Sequence, residues 1–191
     1  MRPRGESAGN RAGAISVRLV KSDADLTAVR SLFLEYRGWL VEHREVTAFA
    51  DSVLKRGLRY FDQEVEALPG GYGPPRGALY LAFHGTRPVG CGALRPLRAN
   101  VGEIKRLYVQ PSFRGAGLGR RITRVLLNRA RKLGYRRVVL DTLPNMKAAI
   151  ATYRSMGFVR IRAYWAHPYP SALFFEYRLK GRAVLPDLSR R

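Results

Sequence analysis

Residues 101–141 restrict the fold of this chain more than any other segment. Residues 101–109 read as a strand, residues 113–121 (FRGAGLGRR) as a glycine-rich turn, and residues 117–133 as an amphipathic helix. Residues 136–143 (RRVVLDTL) then have the nearly continuous apolar centre that is typical of a buried parallel strand. Two strands joined in this way need a parallel crossover connection, so we do not expect a purely antiparallel sheet.

The rest of the sequence predicts elements that can pair as antiparallel neighbours. The predicted strands are residues 15–20, 78–85, 88–97, 158–165 and 172–179, and the predicted helices are residues 22–40, about 49–68 and 145–157. Ser22, with Asp25 three residues later, predicts the start of the first helix. We therefore expect an α/β (α+β) fold, with a mixed, mostly antiparallel central sheet of about six to seven strands and helices on both faces.

The composition predicts one domain without covalent or metal cross-links. The chain has 191 residues, one cysteine and three scattered histidines, which argues against a disulfide framework and a metal site. No run of about 18 apolar residues and no signal peptide is visible, so we expect a cytoplasmic protein with no membrane partner. We expect a disordered tail at residues 1–14, a single domain at residues 15–181 and a loose tail at residues 182–191.

The charge of the chain is uneven. The net charge is +21, and residues 67–191 hold 24 basic and four acidic residues, whereas residues 21–66 hold seven basic and nine acidic residues. A basic surface of this kind attracts nucleic acid, anionic membranes or phosphorylated cofactors. Solubility and an arginine-rich composition explain the same charge without such a partner, so both interpretations stay open.

The turn at residues 113–121 has the features of an anion site. Glycines let a phosphate approach the backbone, and the free amides and dipole of a helix start favour negative charge. The spacing excludes a Walker A motif, because Arg120 and Arg121 follow Gly119, and it departs from the G-x-G-x-x-G fingerprint of dinucleotide-binding proteins. By itself, such a turn is also compatible with a purely structural role.

Two motifs together resemble the GNAT superfamily of acyl-CoA-dependent N-acyltransferases. The first is VQPSFRGAGLG (109–119), which contains R-x-x-G-x-G, and the second is ATYRSMGF (151–158). The resemblance covers residues 15–180 and agrees with the predicted order of strands. It implies the GNAT acyltransferase fold, acetyl-CoA (coenzyme A) as the cosubstrate, and transfer of an acetyl group to an amine.

The resemblance also implies which residues hold coenzyme A. In that family the amides of the turn hold the pyrophosphate, and the preceding strand splays from the next parallel strand and binds pantetheine through its backbone. The family asparagine falls at Met146 here, so the neighbouring Asn145 either caps the following helix or contacts pantetheine. The predicted contacts are Leu107, Tyr108, Val109, Arg114, Gly115, Ala116, Gly117, Leu118, Gly119, Arg120 and Asn145.

Glu103 and Tyr153 are the predicted catalytic residues. A carboxylate within a core-forming strand is costly without a partner or a function. Glu103 therefore either pairs with Lys105 or Arg106, or resembles the family members that place a general base there. Tyr153 matches the family tyrosine that hydrogen-bonds the CoA sulfur, which makes it the candidate proton donor to the leaving thiolate, and its alternative is a core aromatic.

The sequence defines the acceptor side of the site less sharply. His84 and His167 are reserve bases, and Cys91 lies in an apolar strand pattern typical of a core thiol. By analogy with the family, one aromatic cluster either lines the acceptor cleft or packs within its own loop, and three acids attract a cationic amine. The aromatics are Tyr164, Trp165 and Tyr169, and the acids are Glu35, Glu42 and Glu45.

We therefore expect an N-acetyltransferase that moves the acetyl group of acetyl-CoA directly to a primary amine, on a small molecule or a peptide, through a ternary complex. An RNA-linked acceptor, such as an aminoacyl-tRNA, is the alternative among enzymes. A nucleic-acid-binding protein with a vestigial CoA site is the alternative outside enzymes. No metal is expected, and the sequence is compatible with a homodimer.

Overall fold

The computed structural model describes residues 14–42 and 51–179, without the side chains of residues 51–54. The strands within this part are β1 (Ile15–Leu19), β2 (Ala78–His84), β3 (Arg87–Arg98), β4 (Val101–Val109), β5 (Arg137–Thr142), β6 (Val159–Ile161) and β7 (Leu173–Arg178). The α-helices are α1 (Asp23–Glu42), α2 (Asp51–Glu66), α3 (Leu118–Lys132) and α4 (Lys147–Ser155). The two predicted tails, apart from Ala14, and the predicted helix start at Phe49 lie outside the described residues.

The strands form one mixed sheet in the order β1-β2-β3-β4-β5-β7-β6. β4 and β5 pair in parallel, and every other neighbouring pair of described strands is antiparallel. α3 connects β4 to β5, which confirms the crossover predicted from residues 101–141. The last strand, β7, lies between β5 and β6, so β6 is an edge strand.

Helices cover both faces of the sheet, as predicted. On one face, Leu126 of α3 and Leu140 of β5 belong to one buried cluster. On the other face, Phe33 of α1, Phe61 of α2 and Cys91 of β3 belong to a second cluster. Cys91 is fully buried, which confirms the predicted core thiol. No helix in the described part of the chain is long and apolar enough to cross a lipid bilayer.

The start of α1 is fixed by polar contacts where the sequence predicts them. The Ser22 hydroxyl accepts the amide hydrogen of Asp25 at 3.2 Å, and the Asp25 carboxylate accepts the amide hydrogen of Lys21 at 3.0 Å. Arg18 of β1 donates to both carboxylate oxygens of Asp25, at 2.7 and 2.8 Å. These bonds satisfy the first helical turn and join α1 to the sheet.

The predicted strand at residues 158–165 is too long. Only Val159–Ile161 pair with β7, at the edge of the sheet. The chain then leaves the sheet, and the Tyr164 hydroxyl donates to the buried carboxylate of Glu103 at 2.8 Å. The side chains after residue 161 therefore belong to a loop that packs over the centre of the sheet rather than to its edge.

Candidate active site

Strands β4 and β5 separate in the middle of the sheet. Val101–Glu103 of β4 pair with Arg137–Val139 of β5, and the pairing ends there. β5 continues beside β7 as far as Thr142, whereas β4 continues beside β3 as far as Val109. A cavity of about 500 Å³ opens between the two strands and extends to the start of α3. The splay that the family resemblance implies is therefore present.

A β-bulge accompanies this separation. Cys91 of β3 pairs with Tyr108, and Ala93 pairs with Lys105, so Arg106 and Leu107 of β4 stand opposite a single residue. Arg106 has a φ of 56°, a left-handed conformation that is uncommon for a residue other than glycine. Its guanidinium lies 3.8 Å from the centre of the Phe61 ring and pairs with Glu64. A bulge bends its strand locally, so this one favours the departure of β4 from β5.

The turn after β4 is open to an anion. Gly115 and Gly117 have φ values of 84° and 76°, which favour glycine, and a Cβ at Gly115, Gly117 or Gly119 would meet no atom within 4 Å. Gly117 occupies the N-cap of α3 and has no side chain to bond the amides of the first turn. These amides are available to a phosphate group, and the residues present fit a pyrophosphate.

Two arginines frame this turn and line the cavity. Arg114 donates through Nε to the carbonyl of Val109 at 2.9 Å, and its guanidinium lies 4.5 Å from the centre of the Trp39 ring. Arg120 donates to the Ser155 hydroxyl of α4 at 2.6 Å. Both cations are therefore held in place beside the open amides.

Most of the predicted coenzyme A contacts line this one cavity. Those that do are Leu107, Tyr108, Val109, Arg114, Gly115, Gly117, Leu118, Gly119, Arg120 and Asn145. Ala116 lies in the same turn but is not one of the lining residues. α4 begins at Lys147 with Met146 at its N-cap, so the alternative in which Asn145 caps this helix is wrong.

Tyr153 lines the same cavity from α4. Its ring packs against Phe158 and Phe175, with ring centres 5.6 and 6.3 Å apart, and its carbonyl accepts the amide hydrogen of Phe158. Burial raises the pKa of the Tyr153 hydroxyl above its usual range, so the hydroxyl stays protonated at neutral pH. The residue is therefore a core aromatic that also lines the cavity and carries a protonated hydroxyl.

Glu103 lies beside the cavity rather than in its wall. Its side chain is 1% exposed, and it is not one of the lining residues. Arg95 lies 2.6 Å from one carboxylate oxygen, and Tyr164 donates to the other at 2.8 Å. Lys105 is 3.9 Å away, whereas Arg106 pairs with Glu64 instead. The predicted ion pair therefore exists with Lys105, but the main basic partner is Arg95.

Asp141, at the end of β5, is the acid that lines the cavity. Lys105 bonds it at 2.8 Å, His167 Nε2 lies at 3.3 Å, and the Tyr164 hydroxyl lies at 3.4 Å. Burial alone would raise the pKa of Asp141, but Lys105 and His167 outweigh it and hold the pKa well below its usual range. Asp141 is thus an ionised carboxylate at neutral pH, and the sequence analysis did not assign it a role.

Neither reserve histidine lines the cavity. His167 Nδ1 accepts the amide hydrogen of Tyr169 at 3.0 Å, and its Nε2 faces Asp141, so both ring nitrogens are engaged. His84, at the end of β2, packs against Phe113 with ring centres 5.3 Å apart. Both histidines therefore lie outside the wall where an acceptor would meet Tyr153.

Aromatic rings of α1 form a wall of the cavity to which the sequence analysis assigned no role. Tyr36 stacks on Tyr108 with ring centres 5.3 Å apart, and Trp39 lies 6.4 Å from Tyr36. Both α1 residues line the cavity, and burial raises the pKa of Tyr36 to about 12. Their spacing along an amphipathic helix signals a buried face but does not distinguish a core from a cavity wall.

The predicted acceptor-side residues are only partly brought together. Trp165 lies beside Tyr60 and His167, and Lys105 lies 5.3 Å from its ring centre. None of Tyr164, Trp165 and Tyr169 lines the cavity itself. Glu35 accepts two hydrogen bonds from Gln110, Glu42 ends α1, and Glu45 lies outside the described residues.

The chain is similar to acetyltransferases along most of its length. Residues 26–158 match the acetyltransferase (GNAT) family. An uncharacterised N-acetyltransferase of Schizosaccharomyces pombe is 33% identical over 168 residues, which cover 86% of this chain and 95% of that protein.

Solved structures share the fold. An acetyltransferase of the GNAT family from Staphylococcus aureus has a TM-score of 0.68 at 17% identity, covering 87% of this chain and 100% of that one. The PaiA N-acetyltransferase of Thermoplasma acidophilum, solved in complex with coenzyme A, has a TM-score of 0.66 at 16% identity, covering 87% and 99%.

Proposed function

The chain belongs to the GNAT acetyltransferase family, and we propose that it moves the acetyl group of acetyl-CoA directly to a primary amine while both substrates are bound. One observation carries this proposal. A single cavity joins the open glycine turn, the free edge of β4 and the protonated Tyr153 hydroxyl. An anion site and a protonated hydroxyl in the wall of one cavity fit acetyl-CoA, which carries a thioester and phosphates on one long molecule.

The residues of this chain divide the binding of acetyl-CoA into three parts. The amides around Gly117 and the guanidiniums of Arg114 and Arg120 hold the pyrophosphate. The backbone of Leu107 to Val109 binds pantetheine along the edge that β5 leaves free. Tyr153 then donates its proton to the sulfur as the thiolate leaves.

Glu103 acts as the general base by way of the Tyr164 hydroxyl, which hydrogen-bonds it. An amine with a pKa near 10 arrives protonated and must lose a proton before it attacks the thioester. Because neither Tyr164 nor Glu103 lines the cavity, a water beside Asp141 relays this proton to the Tyr164 hydroxyl, 3.4 Å from Asp141, and Tyr164 passes its own proton to Glu103, 2.8 Å away. The ionised Asp141 carboxylate in the wall of the cavity favours a cationic acceptor at this position.

The direct test of the function is turnover with a panel of amines. We expect release of free CoA to require both acetyl-CoA and an amine, and the product to gain the mass of one acetyl group. The panel includes small diamines, amino acid amides and lysine-containing peptides. If acetyl-CoA binds but no amine in the panel is acetylated while an aminoacyl-tRNA is, the acceptor is RNA-linked. If acetyl-CoA does not bind, the proposal is wrong.

The glycine turn allows a sharp test of coenzyme A binding. Gly119 lies in the first turn of α3 with no atom within 4 Å of an added Cβ, so Gly119→Ala fits the folded chain and favours the helix. The added methyl group occupies the space that the pyrophosphate needs. Loss of one charge-assisted hydrogen bond weakens binding by about 10-fold to 100-fold.

Calorimetry with CoA and a thermal melt without ligand separate the two effects. We expect Gly119→Ala to melt no lower than the parent protein and yet to bind CoA less tightly. Gly117→Val is the stronger variant, but its φ of 76° adds backbone strain, so its melt must be compared first. Parental CoA affinity in Gly119→Ala and in folded Gly117→Val would show that the turn does not hold the phosphates.

A further inference from the structure

A second cavity, of about 520 Å³, lies at the other end of β4 and β5. It is lined by the end of β3, the turn into β4, the start of β5 and the end of β7. β4 spans nine residues, so roughly 25 Å of strand separates this cavity from the glycine turn. The second cavity is therefore distinct from the proposed acetyl-CoA site.

Arginines dominate this cavity. Arg98, Arg136, Arg137 and Arg178 line it, and none of the described lining residues is acidic. Arg76 approaches from outside and donates to the carbonyl of Ala99, a further lining residue. Five guanidiniums are thus gathered around one concave surface, which gives it a strongly positive potential.

Among the described residues, the acid that pairs with these arginines is Glu176. Glu176 is buried and accepts from Arg137 and from Arg178, each at 3.1 Å. Arg98 and Arg136 are exposed, and within the described part of the chain neither side chain pairs with an acid. Their guanidiniums are therefore available to an external anion, and a guanidinium can bind a phosphate with two parallel hydrogen bonds.

Backbone hydrogen bonds join the segments that surround the cavity. The carbonyl of Asn100 accepts the amide hydrogen of Arg136 at 2.9 Å, and the carbonyl of Arg136 accepts the amide hydrogen of Leu179 at 2.9 Å. The ring of Tyr135 lies under the guanidinium of Arg76, 5.4 Å from its centre. The arginines are therefore presented from a fixed frame rather than from a loose terminus.

We propose that this arginine-lined cavity binds the phosphate backbone of a nucleic acid. Single-stranded RNA serves as the probe for this binding. A concave site suits a phosphodiester chain that enters it, whereas a bilayer surface suits a flat basic face. The basic surface also continues beyond the cavity, because the last turn of α3 carries Arg129, Arg131 and Lys132. This binding does not depend on the proposed acetyl transfer.

The test measures the affinity of the full chain for a fluorescent single-stranded RNA by anisotropy, between 50 and 200 mM salt, both without CoA and with saturating CoA. For single strands, each neutralised phosphate contributes about 0.7 to the slope of log affinity against log salt. We expect Arg98→Gln with Arg136→Gln to reduce the slope by about 1.4 and the affinity at 0.1 M salt by about 25-fold.

The matched control removes two arginines elsewhere. Arg56 and Arg59 are exposed on α2, so Arg56→Gln with Arg59→Gln lowers the net charge equally. We expect this control to change the slope by much less. An equal loss in both double variants would reduce the effect to net charge and overturn the proposal.

Two further outcomes also overturn it. If CoA abolishes RNA binding, the RNA occupies the glycine turn with Arg114 and Arg120 rather than the second cavity. If the protein binds vesicles that contain phosphatidylserine, does not bind RNA, and loses vesicle binding with Arg98→Gln and Arg136→Gln, the cavity serves a membrane surface.

Discussion

We expect the replacement of Glu103 with glutamine to lower kcat/KM at pH 7 by at least about 100-fold, because a general base contributes about 10²-fold to 10⁴-fold. Glutamine keeps the shape of the side chain and can still accept the hydrogen bond from Tyr164, but it cannot take a proton. At a pH near 10 the amine loses its proton without help, so the deficit shrinks as the pH rises. The measurement is a pH–rate profile of parent and variant with one amine acceptor.

The structure offers controls for this result. Arg95, which loses its bond to Glu103, still pairs with Glu64 at 2.9 Å, so we expect the variant to fold. Tyr164→Phe keeps the ring contact with Phe174 but removes the hydroxyl that would carry the proton, so it should give the same pH-dependent deficit. An unfolded Glu103→Gln protein would identify Glu103 as an ion-pair partner only. A folded variant with a small, pH-independent loss would show that an ordered water or another group serves as the base.

We expect the replacement of Tyr153 with phenylalanine to lower kcat by about 10²-fold to 10⁴-fold and to leave the melting temperature and the affinity for CoA almost unchanged. The ring still packs against Phe158 and Phe175, while the leaving thiolate loses its proton donor. Steady-state kinetics at saturating amine, with single-turnover rates to isolate the chemical step, provide the measurement.

Tyr177→Phe is the matched control for this substitution. Tyr177 packs against Phe158 in the same cluster, with ring centres 5.2 Å apart, but it does not line the cavity. We expect it to leave kcat unchanged. If Tyr153→Phe also leaves the rate of the chemical step unchanged, Tyr153 is a core residue and another group protonates the thiolate.

The sequence was sufficient to predict the parts of the site that local patterns determine. The glycine turn follows from Gly115, Gly117 and Gly119 directly before an amphipathic helix, and the crossover follows from two apolar strands on either side of that helix. Residues fixed by their neighbours in the chain, such as Arg114 and Tyr153, lie in the predicted cavity for this reason.

The ion pairs of Lys105 and Arg106 could not be predicted, because the partners in each pair are distant in the sequence. Lys105 bonds Asp141 across 36 positions, and Arg106 bonds Glu64 across 42. The bulge at Arg106 has the same origin. Its left-handed backbone arises from the offset between β3 and β4, and arginine carries no local preference for that conformation. The pairing of these charges and the left-handed backbone of Arg106 both depend on the tertiary structure.

The separation of β4 from β5 divides the sheet into two halves that are joined by a short stretch of strand pairing. Three paired positions, Val101 to Glu103 of β4, join the two halves, and the remaining length of the gap faces the cavity. A molecule that binds in this gap takes the place of the missing strand pairing. It therefore contributes to the structure of the sheet as well as taking part in the reaction. Because a ligand that binds only the folded chain stabilises it by mass action, we expect the two halves of the sheet to be held together more firmly when that molecule is bound.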